Sequence, residues 1–378
     1  MIDKKTYKET ELSRLGLGTM RLPVKTKIKR EANPMIDYEE GQKLVDYAIE
    51  HGINYFDTAY MYHAGKSEKF IGTALKKYPR DSYFLVDKLP IWMCLKKSDM
   101  EKIFNNQLER TGADYFDNYL LHALDGGGFD KCEKYGAYDF LKKKQSEGKI
   151  RHIGFSFHGT IDDLKRIVAA HEWDFAQIQL NYLDWQNQRA KEQYEILTEA
   201  GIPVIVMEPV RGGKLAEVPK EAEAMFKAAK PNASIASWAI RFVASLPNVV
   251  TILSGMNSLE QMEDNISTLT DFKPLSDSEM RLCFNAAAII NKKNVIPCTG
   301  CDYCADCPRQ VRISTIFAAY NDYKNGNISI DESAARYLAI PKENNASACV
   351  KCGKCATHCP KGIKIPDLLH GEIADFFG

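Results

Sequence analysis

The sequence predicts an α/β chain, a (β/α)8 TIM barrel followed by a small α-rich, ferredoxin-like domain with two iron–sulfur clusters. Three observations carry this. Short β-branched or aromatic runs alternate with longer amphipathic stretches through most of the chain. Eight such pairs fill about 250 residues, the size of a (β/α)8 barrel. Eight of the 11 cysteines fall in two tight runs near the C-terminus. The expected boundaries are 1–275 for the barrel, 276–295 for a connecting helix and 296–378 for the cysteine domain.

The strands are expected at 15–22, 54–59, 83–89, 116–122, 150–157, 175–181, 203–209 and 249–255. Each is rich in Val, Ile, Leu, Phe or Tyr, as strands buried on both faces should be. Helical periodicity fills the gaps at 38–51, 67–78, 98–111, 133–147, 161–171, 190–200, 232–245 and 258–270. Ser258 with Gln261, and Ser276 with Glu279, fit the capping box. Gly52, Gly112, Gly148 and Gly201 stand where helices should stop. Residues 276–292 read as a further helix. A doubly wound open sheet would bring G-x-G-x-x-G after its first strand, but Gly16 and Gly18 are followed by Arg21. Gly65-Lys66-Ser67 ends like a P-loop, yet position 60 is Tyr60 rather than glycine. Gly126-Gly127-Gly128 is expected to be a flexible active-site loop.

The cysteine runs are Cys298, Cys301, Cys304, Cys307 and Cys349, Cys352, Cys355, Cys359, each followed by proline. The second has the bacterial ferredoxin spacing, in which three cysteines hold one [4Fe–4S] cluster and the fourth holds the other. That pattern predicts crosswise sharing. Cys298, Cys301, Cys304 and Cys359 would serve one cluster; Cys349, Cys352, Cys355 and Cys307 would serve the second. Zinc sites pair C-x2-4-C units around one ion, whereas here each run brings three thiols into one small volume. Disulfides are disfavoured because Met1-Ile2-Asp3-Lys4-Lys5 has no apolar signal region, so a cytoplasmic location with reduced thiols is expected. His358 and the isolated Cys94, Cys132 and Cys283 are read as structural.

Lys+Arg and Asp+Glu both number 50. Zero net charge removes the electrostatic case for nucleic acid. No apolar run approaches a membrane span. The cysteine domain is likewise balanced in charge, so no strongly acidic docking face is evident.

Working residues of a barrel sit at the C-terminal ends of its strands. Four polar residues fall there: Asp57, Tyr62, Lys88 and His122. A buried Lys88 and Asp57 on neighbouring strands should pair. Lys88 beside Tyr62 should favour the phenolate and lower the tyrosine pKa, and His122 could hold a substrate oxygen. On these residues alone, a buried ion pair beside a hydrogen-bonded histidine fits as well as a proton-transfer site.

The stretch GINYFDTAYMYHAGKSE (52–68) resembles the aldo/keto reductase motif around its catalytic Asp and Tyr. Lys88 in FLVDKLP, His122 in DNYLLHALD and the segment GKIRHIGFS (148–156) match later motifs of that family in order. With the cysteine tail, the chain resembles aldo/keto reductase-like oxidoreductases that carry a C-terminal ferredoxin-type domain. The resemblance implies NAD(P)H-dependent reduction of a small aldehyde or ketone. Tyr62 would be general acid, Lys88 and Asp57 would tune it, and His122 would orient the carbonyl. It places nicotinamide near Gly18, Thr19, Met20, Ser156, Gln177 and Met207, and the adenosine end near Gly255, Gln261 and Asn265.

Three departures from the family pattern stand out. Phe157 replaces the usual Asn, Met207 stands where an aromatic commonly stacks, and 255–258 lacks the cation that grips a 2′-phosphate. NADH is therefore expected to serve at least as well as NADPH, or nicotinamide to bind weakly. Hydride transfer moves two electrons and a cluster moves one. Three roles stay open: a carbonyl reductase whose clusters serve a redox partner protein or tune the site; a barrel in which clusters deliver single electrons to a substrate or flavin without nicotinamide; or a sensor or scaffold.

Overall fold

The computed structural model describes residues 1–25, 35–293, 296–359 and 361–378. Pro360, closing the second cysteine run, and residues 294–295 of the expected connecting helix lie outside the described residues. Two compact units form: Met1–Val210 with Ser237–Ser276, and Arg211–Ala236 with Asp277–Gly378.

The first unit is a closed, all-parallel barrel. A hairpin, β1 (Lys4–Tyr7) and β2 (Thr10–Ser13), precedes it; its short polar strands carry no apolar alternation and were not expected from sequence. The barrel strands are β3 (Leu15–Gly18), β4 (Tyr55–Asp57), β5 (Phe84–Leu89), β6 (Phe116–Leu124), β7 (Ile150–Phe157), β8 (Phe175–Gln179), β9 (Val204–Met207) and β10 (Val249–Ser254). They run in order, and β10 closes on β3 through Ile252 opposite Leu15. All eight expected strands are present, mostly shortened at their C-terminal ends, where the chain turns into the loops.

Helices cover the outside: α1 (Tyr38–Glu50), α2 (Ser67–Leu75), α3 (Ser98–Thr111), α4 (Gly126–Tyr135), α5 (Ala137–Ser146), α6 (Ile161–Ala170), the short α7 (Asp184–Asn187) and α8 (Ala190–Glu199). In the second unit α9 (Lys220–Ala229) follows; α10 (Ile235–Ala244) and α11 (Leu259–Leu269) flank β10. The expected 133–147 helix is broken at Gly136, whose φ of 66° ends α4 before α5 begins. Gly126–Gly128 form the first turn of α4 rather than a flexible loop. Asp125 caps that turn by accepting from the Gly128 N–H at 2.7 Å. A Cβ at Gly126 would stand 2.4 Å from the Asp163 carboxylate, so close approach explains this glycine. Ser258 caps α11 as expected, but Gln261 reaches back to the Asn257 N–H instead of to Ser258. A complete capping box forms at Thr160 with Asp163, hidden from the usual pattern by its Asp.

Side chains alternate along each strand. Tyr55, Phe84, Val86, Leu120, Phe175 and Ile205 fill the barrel, with Tyr7 of the hairpin packed against the strand starts. Gly154 makes room for the Phe175 ring, since a Cβ there would lie 2.6 Å from it. Above this apolar layer the inward positions turn polar, at Asp57, Lys88, Ser156 and Gln177.

In the second unit α9 packs on α12 (Asp277–Lys293). The cysteine region holds α13 (Ile313–Lys324), α14 (Ile330–Leu338), the single turn α15 (Lys354–Thr357), α16 (Ile365–His370) and α17 (Glu372–Phe377). Ile296, Ile316, Phe317, Ile363 and Ile373 form its core. Asn321 grips the incoming chain, donating to the Ile296 carbonyl at 2.7 Å and accepting from its N–H at 3.1 Å. Among the described residues, no helix is long and apolar enough to cross a membrane.

Candidate active site and cysteine cavities

At the C-terminal end of the barrel, Lys88 Nζ lies 2.6 Å from Asp57 Oδ1 and 2.6 Å from the Thr58 carbonyl. Both charged side chains are buried. The same ammonium stands 4.8 Å from the centre of the Tyr62 ring. Tyr62 meets His122 edge-on at 6.2 Å between centroids. The four sequence-predicted residues are thus brought together.

The electrostatics differ from expectation in one respect. Tyr62 is not shifted down. Burial of its hydroxyl raises its pKa well above the usual phenol value, and the charges of Asp57 and Glu208 add to the rise; Arg21 opposes it. Loss of phenolate hydration outweighs what a nearby ammonium, already held by Asp57, can return. His122 is driven well below the ordinary imidazole value by burial first, then by the charges of Lys88 and His158. It is therefore neutral near pH 7, with its Nδ1 buried and unpartnered. Burial raises Asp57 as well, against the pull of Lys88.

The loops after β3 and β4 are tied by hydroxyls, of which sequence reading named only Thr19, and that for nicotinamide. Thr19 Oγ1 donates to the Asp57 carbonyl at 2.9 Å, Ser67 Oγ donates to Thr19 Oγ1 at 2.6 Å, and Thr58 and Ser67 hydroxyls meet at 2.9 Å. Thr19 is thus committed to holding Asp57. A Cβ on Gly18 would meet the Ser254 carbonyl at an ordinary 3.6 Å, and Met20 is exposed. Trp92, likewise missed, leans over His122 at 5.0 Å with about half its surface open. Nothing in the irregular segment after Leu89 signals its position in sequence.

Ser156 and Gln177 stand opposite each other on β7 and β8. Ser156 Oγ accepts from the Ala123 N–H at 2.7 Å, leaving its own proton free to donate. Gln177 is buried with Oε1 unpartnered. An acceptor and a donor side by side fit a carboxamide such as that of nicotinamide. Phe157 is buried next to Gly159, and Met207 sits half-buried at the end of β9. Asn265 donates to Ser254 Oγ at 3.2 Å. A Cβ on Gly255 would meet the Arg21 stem at 3.3 Å, and the Arg21 guanidinium pairs with Glu208 at 3.2 Å. A cation therefore does stand beside the 255–258 segment, already partnered and supplied by a loop far away in sequence.

Two cavities in the described residues of the second unit are lined by the cysteines. One, enclosing about 340 Å³ of space partly open to solvent, is lined by Cys298, Cys301, Cys304 and Cys359. The other, about 270 Å³, is lined by Cys307, Cys349, Cys352 and Cys355. Each takes three cysteines from one run and one from the other. Ile313, Phe317 and Ile363 wall the first, and Val311 and Leu369 the second. Lys214 donates to the Cys298 carbonyl. Burial pushes the Cys304 thiol up to about 12, with the neighbouring Cys298 adding to it. Thiolates held this closely need positive charge, which the core of an iron–sulfur cluster supplies. Cys94, Cys132 and Cys283 are buried away from these cavities, and His358 is exposed.

Comparison with known proteins separates the barrel from the cysteine region. Residues 14–287 match the model of the aldo/keto reductase family, and residues 297–363 match that of a 4Fe-4S dicluster domain. The NADH-specific methylglyoxal reductase of Escherichia coli (strain K12) is 27% identical over 330 residues, 74% of this chain and 96% of that protein. A probable aldo-keto reductase 1 of Glycine max is 27% identical over 314 residues, 74% of this chain and 86% of that protein. The holo form of aldo-keto reductase AKR11C1 from Bacillus halodurans superposes with a TM-score of 0.62 at 23% identity, covering 76% of this chain and 96% of that one. An aldo-keto reductase from Klebsiella pneumoniae in complex with NADPH gives 0.59 at 22%, covering 75% and 95%. At these identities the structural likeness speaks for the fold.

Proposed function

The chain belongs to the aldo/keto reductase family, and from that premise we propose that it reduces a small aldehyde or ketone at the Tyr62–Lys88–Asp57–His122 site with NAD(P)H. One observation carries the reading: a buried Lys88–Asp57 pair at 2.6 Å lying 4.8 Å from the ring of a tyrosine that is kept protonated.

Nicotinamide, when bound, supplies hydride to the carbonyl carbon. Ser156 and Gln177 would hold its carboxamide, one donating and one accepting. Tyr62, protonated through the neutral range, gives its hydroxyl proton to the carbonyl oxygen, so the product is an alcohol. The phenolate left behind is stabilised by the Lys88 ammonium. Asp57 and the Thr58 carbonyl hold that ammonium in place. Neutral His122 carries one N–H and donates it to the same oxygen. Trp92 covers the mouth and limits water.

The cavity linings support two [4Fe–4S] clusters, shared crosswise between the cysteine runs. A loaded cluster exchanges one electron at a time. The clusters therefore tune the reductase or serve a redox partner protein rather than carry the hydride's electron pair. Because Arg21 is already paired with Glu208, NADH is expected to serve at least as well as NADPH.

The test is anaerobic turnover of cluster-loaded protein with NADH or NADPH and a panel of carbonyls, with cluster absorbance followed in parallel. Alcohol formation matched to nicotinamide oxidation supports the reading. Cluster bleaching by nicotinamide with no alcohol formed would replace it with single-electron chemistry in the barrel.

A further inference from the structure

Lys88 stands beyond the end of its neighbouring strand. β4 pairs with β5 only as far as Asp57 opposite Val86. Phe84 N–H and Val86 C=O face β4, bonding to Asn54 and Thr58, so the alternation of a strand turns the Lys88 N–H and C=O the same way. Side chains complete those two bonds. Asp87 Oδ1 accepts from the Lys88 N–H at 2.8 Å, and Gln107 Nε2 donates to the Lys88 carbonyl at 3.0 Å.

Asp87 points outward from the barrel, into a polar cluster walled by α2 and α3. Those helices touch backbone to backbone at Gly72, where a Cβ would stand 2.1 Å from the Thr111 carbonyl. One turn earlier Glu68 meets Arg110 at 2.8 Å. Arg110 lies over the Tyr60 ring at 4.4 Å, and Tyr119 donates to Gln107 at 2.6 Å. Glu68 and Asp87 are both 0% exposed, with their carboxyls in hydrogen-bonding reach of each other. Glu68 Oε1 and Asp87 Oδ2 each lack a donor.

The charges around Lys88 leave one carboxyl over. Asp57 has Lys88 and Glu68 has Arg110. Asp87 has no cation of its own, and an unpaired buried carboxylate costs several kcal/mol. A single proton on Asp87 removes that charge and supplies the donor that Glu68 Oε1 lacks. We propose that Asp87 is carried protonated, donating Oδ2–H to Glu68 Oε1, and that this neutral carboxyl is a positioning residue holding Lys88 against Asp57 and Tyr62. Burial and the Glu68 charge push the Asp87 carboxyl well above the ordinary range, in keeping with this. An ionised Asp87 would compete with Asp57 for the Lys88 charge; a neutral one leaves that charge directed at Tyr62. The positioning role rests on the reading of Lys88 as part of the reductase site, whereas the shared proton does not.

The experiment uses full-length, cluster-loaded protein and two variants. In infrared difference spectra at neutral pH, the wild type should show the C=O stretch of a buried carboxylic acid that Asp87→Asn lacks. Asparagine keeps both bonds, its amide donating to Glu68 and its oxygen accepting from Lys88. Asp87→Asn should therefore retain kcat within about threefold and leave the pH profile in place. Asp87→Leu, which shares only the branching at Cγ, loses both bonds and should lower kcat by about tenfold or more at unchanged nicotinamide KM. No carboxylic acid band assignable to Asp87 overturns the shared proton. Equal losses of kcat in the two variants, with the alkaline limb moved in Asp87→Asn, overturn the neutral positioning role. Absence of carbonyl turnover in the wild type would sink the reading of the site and the positioning role with it, and the infrared result would still decide the proton.

Discussion

The Lys88 ammonium lies 2.6 Å from the Asp57 carboxylate on the neighbouring strand, with both side chains closed to solvent. Desolvation offsets much of the attraction in such a pair, so its main effect is orientation. Removing one partner is another matter. Lys88→Met should cost about 3–5 kcal/mol in urea unfolding because Asp57 is left uncompensated. Adding Asp57→Asn in that background should recover part of the loss. A double-mutant cycle with additive costs would show that the pair is not coupled.

Tyr62→Phe removes one hydroxyl. Carbonyl turnover should fall by about 10²–10⁴-fold, while nicotinamide binding and cluster absorbance stay as they were. Stopped-flow measurement of the hydride step checks this, and a retained rate would take the proton-donor role away from Tyr62.

The lowered pKa of His122 gives a pH prediction with a definite sign. The folded protein refuses a proton that the unfolded chain accepts below its ordinary value of about 6.5. Stability should therefore decline as pH falls through that value toward the lower folded pKa. His122→Gln lacks the effect, so its melting temperature should vary less between neutral and mildly acid buffer. Parallel curves for the two proteins would contradict the burial argument.

Gly72→Ala would force a methyl to 2.1 Å from the Thr111 carbonyl. Overpacking usually costs about 1–3 kcal/mol, and a backbone-to-backbone clash should reach the upper end or beyond. Gly112→Ala meets no neighbour within 4 Å but must hold a φ of 63°, a cost of about 1 kcal/mol. Comparing the two by chemical denaturation separates a steric requirement from a conformational one.

Cys359→Ser should empty the cavity that Cys298 lines, leaving the one lined by its own sequence neighbours Cys352 and Cys355. Iron should fall from about eight to about four atoms per chain. Cys298→Ser together with Cys359→Ser should lose no more iron than either alone. A double variant with no iron would mean that each run fills its own cavity.

The barrel was legible because its strands are uniform runs of Val, Ile, Leu and Phe, and because Gly52, Gly112, Gly148 and Gly201 mark helix ends with positive φ. Asp57, Tyr62, Lys88 and His122 were legible because strand ends carry them in order. The pKa direction of Tyr62 was not, since it depends on how deeply loops bury the hydroxyl. The partnership of Asp87 with Glu68 joins a strand to a separate helix, and Arg21 beside Gly255 joins opposite ends of the barrel sequence. Contacts of that kind leave no mark in local periodicity. The hairpin and the glycine turn at 126–128 escaped for the opposite reason: their local chemistry reads as loop until neighbours are known.

The exchange of one cysteine between the two runs has a consequence for how the protein is made. When a growing chain has released residues up to 348, the first cavity has three of its four thiols and the second has one. The second cannot be completed until Cys355 has been synthesised, nor the first until Cys359 has been and has folded back across the helices between the runs. Metal loading is therefore a late event in biogenesis. Until then, the four thiols of the first run lack their partners from the second and are open to oxidants and to stray metal ions.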